Sequence, residues 1–141
     1  MRFGKTGSKQ GGATLLEAMI GILIFSLGIL ALVGMMAIAI KQTAEAKYRA
    51  DASFLANQLL GEMWVNRSNL ATYAYAGGGG PPAALANWVT SLQNTLPGIT
   101  GAVNQPIVTV VGSAVTITVR WQPPAVATPN NYMTVAFITN S

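Results

Sequence analysis

From Ala18 to Ile40 the chain carries no charged side chain and is almost wholly apolar. Wound as an α-helix, this run would be roughly 35 Å long, enough for a hydrocarbon core of about 30 Å. Beyond Ile40 the pattern changes rather than stops. Tyr48, Ala52, Leu55, Leu59 and Met63 recur at spacings of four and three, which puts them on one face of a helix. Lys47, Asp51, Gln58, Glu62 and Asn66 fall mostly elsewhere on the same helix. No proline and no run of glycines interrupts the stretch from Ala13 to about Asn66, so one helix of roughly 54 residues and about 80 Å is expected. Its first half is long enough for a membrane, and its second half has one face to bury against a small domain.

Gly77 to Gly80 followed by Pro81 and Pro82 breaks the pattern. No strand precedes this run and no phosphate-loop lysine follows it, so it reads as an exposed loop. A short amphipathic helix is expected next, with Leu85, Trp88, Val89, Leu92 and Leu96 on one face and Pro97-Gly98 as its end. The last third is β in character. Ile107–Val111 and Val115–Trp121 are rich in β-branched residues, with Gly112-Ser113 as a candidate two-residue type II′ turn between them. Val115, Ile117, Val119 and Trp121 alternate with Thr116, Thr118 and Arg120, which predicts one buried and one exposed face. Tyr132–Thr139 supplies a third strand, with Met133, Val135 and Phe137 on its apolar side. The expected fold class is α+β: a long N-terminal helix packed on a small antiparallel sheet of about three strands.

Composition narrows the chemistry. Only 9% of residues are charged, against about 25% in an ordinary soluble domain, so much of the chain belongs in a membrane or against other subunits. The net charge is +4, but Arg2, Lys5 and Lys9 all precede the apolar run, so the basicity is an N-terminal matter and not a nucleic-acid footprint. There is no cysteine and no histidine, which excludes disulfides, thiol nucleophiles, histidine-based catalysis and Cys- or His-liganded metals. All four acids, Glu17, Glu45, Asp51 and Glu62, lie on the expected long helix, and Arg120 is the one charge after Arg67. A domain without carboxylates offers neither paired-acid catalysis nor an oxygen-ligand cation site, so no enzyme, metal or cofactor is expected. Trp88, Trp121, Tyr73, Tyr75 and Tyr132 are either core or a recognition surface; Trp88 and Trp121 fit core positions. Asn66-Arg67-Ser68 matches a glycosylation triplet of a kind common by chance.

The head of the apolar run is where the sequence becomes specific. A basic arm before an apolar stretch also describes a secretory signal, and Ala37-Ile38-Ala39 or Ala44-Glu45-Ala46 would serve as cleavage sites. The run is, however, longer than the ~7–15 residues of a signal core. Nor does a signal or a plain anchor account for Glu17, a carboxylate at the edge of hydrocarbon. Gly11-Gly12-Ala13-Thr14-Leu15-Leu16-Glu17, with the basic leader before it and the apolar run after it, resembles the processing motif of the type IV pilin and pseudopilin superfamily. The chain departs from the usual pattern at Ala13, where phenylalanine is common. Three later stretches are similar to the PilV-like minor pilins of that superfamily: Arg49 to Arg67, Trp88 to Gly98, and Val115 to Trp121.

The resemblance implies a type IV pilin fold and a non-enzymatic role in pilus assembly. Residues 1–12 would be a leader, 13–40 a membrane and filament-core helix, 41–66 its amphipathic continuation, and 67–141 the globular domain. Prepilin peptidase would cleave between Gly12 and Ala13, the new amine of Ala13 would be N-methylated, and Glu17 would act in subunit assembly by pairing with that amine on a neighbour. The implied partners are the peptidase, other minor pilins, the major pilin and the inner-membrane assembly platform. The N-terminus would be cytoplasmic, and the product would pass from the inner membrane to the cell surface. A type II secretion pseudopilin and a DNA-binding competence pilin share the motif and stay open, as does an ordinary anchored periplasmic protein, which would lack it in function.

Overall fold

The computed structural model describes residues 11–124 and 126–139. Its elements run α1 (Gly11–Val65), two 3-10 segments (Arg67–Tyr73 and Ala83–Leu85), α2 (Ala86–Thr95), β1 (Ile107–Val111), β2 (Ala114–Trp121) and β3 (Asn130–Phe137). The chain divides into two units at Gln42/Thr43.

The described part of the first unit is helical throughout. Every large apolar side chain from Leu15 to Ile40 is 46–69% exposed among the described residues. The hydroxyl of Ser26 inside the run donates to the Ile22 carbonyl at 2.7 Å, so this polar group is satisfied within the helix.

The second unit is a helix-on-sheet core. The sheet is an antiparallel meander in the order β1-β2-β3. Ala52, Leu55, Ala56, Leu59 and Met63 of α1 are buried, as the spacing predicts, and Tyr48 is half-buried at the margin. From β2 the same core receives Val115, Ile117, Val119 and Trp121, each 0–2% exposed. α2 adds Trp88, Val89 and Leu92, with Leu85 and Leu96 at its two ends. The Trp88 indole N–H reaches across to donate to the Leu55 carbonyl at 2.8 Å, so the buried ring satisfies its one donor on α1 itself. Burying each large aliphatic side chain here contributes about 1.5–3 kcal/mol.

Turn chemistry matches the local sequence. Gly112-Ser113 joins β1 to β2, and Gly112 alone of the pair has positive φ (+60°), as a type II′ turn requires. Gly98, after α2, sits at φ +75° with a virtual Cβ only 2.6 Å from the Gln122 carbonyl oxygen, so glycine is needed there for two independent reasons.

β3 differs from the simplest reading of its pattern. Met133, Val135 and Phe137 do not face the core; they are 62%, 52% and 68% exposed. The register fixes this. Val115, Ile117 and Val119 stand opposite Ala136, Thr134 and Tyr132, and paired residues share a face. With the inner face of β2 committed to α1, the apolar row of β3 must point outward. Tyr132 is the half-buried exception, and its hydroxyl accepts a hydrogen bond from Ser53 of α1 at 3.3 Å.

Candidate functional site at the head of the long helix

Gly12 and Ala13 lie in the first turn of α1, and Glu17 follows Ala13 by one helical turn, about 6 Å along the axis and on the same face. All three are exposed. Glu17 has no ion pair with another described residue. It stands at the head of an apolar stretch that no described residue buries. The arm carrying Arg2, Lys5 and Lys9 lies outside the described residues.

Among the described residues, nothing in the fold requires glycine at Gly12: a Cβ there would meet nothing within 4 Å, and its φ is not in the left-handed region. Gly21, Gly28 and Gly34 of the apolar stretch are likewise in open space.

Elsewhere the structure assigns the sequence candidates to other roles. Tyr73, Tyr75, Trp88 and Trp121 are 2–6% exposed and belong to the core, so the recognition-surface alternative does not hold for these four. Trp64, which the periodicity did not single out, is the exposed tryptophan (46%), on the side of α1 away from the core. The Arg120 guanidinium is engaged inside the fold, donating to the Gln105 carbonyl at 3.0 Å. Arg67 is exposed, and among the described residues of the globular part the one other cation is Arg120. The Asn66 amide donates to the Tyr73 hydroxyl at 2.8 Å. The Lys47–Asp51 pair, 3.5 Å apart one turn along α1, is a surface ion pair worth about 0.3–0.5 kcal/mol. Among the described residues no three His, Cys, Asp or Glu side chains come together. Arg67 lines one open hollow on the globular unit, of about 490 Å³, and another, of about 560 Å³, has no charged lining residue.

Among the described residues, one helix is long and apolar enough to cross a membrane by length and composition. Comparison of the chain with known family models, curated proteins and solved structures found no match.

Proposed function

We propose that this chain is a minor pilin of a type IV pilus, processed by prepilin peptidase between Gly12 and Ala13 and acting in the assembly or priming of the filament. The observation that carries the reading is the placement of Glu17: one turn beyond the proposed cleavage position, exposed, and at the head of a helix whose apolar surface the described residues leave uncovered. Gly12 supports it, because a glycine with no role in the fold has a reason to be there if an outside enzyme must bind closely around it.

The chemistry follows from burial. Before assembly the apolar part of α1 rests in the inner membrane, with the basic arm held on the cytoplasmic side. Assembly transfers that surface to the filament interior, where water is excluded. An unpaired carboxylate costs several kcal/mol there. Cleavage creates an α-ammonium at Ala13, and N-methylation of that amine retains its charge. Glu17 of one subunit pairs with the Ala13 ammonium of the next, so a chain that has not been cleaved lacks the charge its neighbour needs. Gly21, Gly28 and Gly34 leave room for close approach of other helices. The chain itself performs no catalysis; the bond-breaking step belongs to the peptidase.

A clean deletion, with surface pili sheared and the major pilin quantified, tests the function. Loss of pili restored by the gene supports the proposal. Normal pili with loss of secreted hydrolases would assign the chain to a type II secretion pseudopilus. Gly12→Ala tests the processing step separately: the precursor should accumulate at full length on a denaturing gel, and normal maturation would refute membership of the superfamily.

A further inference from the structure

The sheet has two edges, and they are treated differently. At the β1 edge, Val108 exchanges two main-chain hydrogen bonds with Tyr75, of 2.8 and 2.9 Å, so the outward groups of Val108, in the middle of that edge, are met. At the β3 edge the described residues supply no such partner.

Hydrogen-bond parity shows which residues that edge presents. The Ile138 N–H donates to the Ser113 carbonyl at 2.7 Å, and the β2–β3 register continues from that pair without a bulge. Alternate residues of an antiparallel strand turn their main chain to the same side. Ala136, Thr134 and Tyr132 therefore bond to β2, while Phe137, Val135, Met133 and Asn131 aim their N–H and C=O groups away from the sheet. The same Met133, Val135 and Phe137 hold the exposed apolar side chains. Free donors, free acceptors and an apolar row thus coincide on one edge. The devices that normally protect an edge are missing: Asn130–Phe137 contains no lysine, no proline and no bulge, and no charged residue follows Arg120.

We propose that the free edge of β3 is a docking site for one extended strand of a partner protein, uncharged and apolar at alternate positions. The added strand would pair through the outward main chain of Met133, Val135 and Phe137 and lay its apolar side chains beside theirs. The size of the patch selects this occupant. Three partly exposed side chains amount to an apolar area on the scale of ~300–600 Å², below the ~800 Å² per partner of a stable dimer, so the face suits a single strand better than a second copy of the domain. Charge selects its composition: a charged side chain placed next to Met133 or Phe137 would lose hydration and find no counter-charge on β3. The inference rests on the sheet alone and stands or falls apart from the assembly role of α1.

Amide hydrogen exchange of the full chain in detergent, resolved by NMR, tests it, with the synthetic peptide acetyl-Thr-Val-Thr-Val-Thr-Val-Thr-amide as the probe. The peptide should slow exchange at Met133, Val135 and Phe137 by about tenfold or more, with Thr134 and Ala136 unchanged because β2 already holds them. A peptide N-methylated at alternate residues should have no effect. Val135→Pro, which removes an outward donor and leaves the β2 ladder intact, should keep the circular dichroism spectrum and lose the protection. No slowing with the peptide, or equal slowing with the methylated one, would overturn the proposal. So would protection of the outward amides that needs no peptide and rises with protein concentration, because the occupant would then be a second copy.

Discussion

Replacing Gly98 by alanine should destabilise the globular unit far more than a glycine replacement at ordinary positive φ. Two separate costs meet at this residue. The first is conformational: Gly98 sits at φ +75°, where an L-residue costs about 1–2 kcal/mol. The second is steric. The new Cβ would lie 2.6 Å from the Gln122 carbonyl oxygen and 2.9 Å from the Gln122 Cβ. Those atoms cannot simply retreat, because the Gln122 N–H donates to the Pro97 carbonyl at 2.9 Å and the Asn104 amide donates to the Gly98 carbonyl at 2.9 Å. Forcing a methyl group into such a contact costs about 1–3 kcal/mol. Against these stands a gain of about 0.4–1 kcal/mol from the stiffer unfolded chain, so a net loss of about 3 kcal/mol is expected. Gly79→Ala is the matched control: its φ is +78°, but a Cβ there meets nothing within 4 Å, so it should lose only about 1 kcal/mol. Thermal and urea denaturation of both variants, followed by circular dichroism, should separate them by about 10 °C in Tm for a unit of this size. Equal losses in the two variants would refute the steric half of the reasoning, and a stable Gly98→Ala would refute both halves.

Leu59→Ala, at a fully buried position of α1, should cost about 2.7–5 kcal/mol by urea denaturation, whereas Phe54→Ala, 70% exposed, should change stability by less than about 0.5 kcal/mol. A fragment starting at Lys41 should fold on its own and show both helix and sheet by far-ultraviolet circular dichroism, with no dependence on metal or reductant; a spectrum without helix would contradict the packing of the second half of α1. Glu17→Gln should be processed at close to the normal rate but be depleted from sheared filaments; normal amounts in filaments would show that no ion pair at Glu17 is needed.

How much was legible in advance depended on whether a pattern had one solution. The buried face of α1 from Ala52 to Met63, the face of α2 and the inward row of β2 were all readable, because each is a single apolar stripe at the period of its element. The Gly112-Ser113 turn was readable because its geometry demands glycine first. At the head of α1 the sequence singled out Glu17 as a carboxylate beside an apolar run, and Gly12 through a resemblance of motif; the fold adds only that both are exposed in the first two turns of the helix. Trp64 escaped because it lies off the core stripe, where periodicity gives no signal.

By itself the sequence determined the two α-helices and the three strands (though not the 3-10 segments Arg67–Tyr73 and Ala83–Leu85), their boundaries to within a few residues, and which side of α1, α2 and β2 is buried. Local periodicity and turn chemistry suffice for these, since both are properties of neighbours along the chain. Only the tertiary structure decided which side of β3 faces the core, that Tyr75 pairs with Val108 at the β1 edge, that the Trp88 indole bonds to the Leu55 carbonyl, and that Gly98 lies against Gln122. In β3 one face bears Met133, Val135 and Phe137 and the other Tyr132, Thr134 and Ala136; alternation separates the two sets without ranking them. The choice was made by the partner strand, whose inward row was already fixed by α1, and packing of β2 on a helix roughly sixty residues earlier leaves no mark in the local pattern of β3.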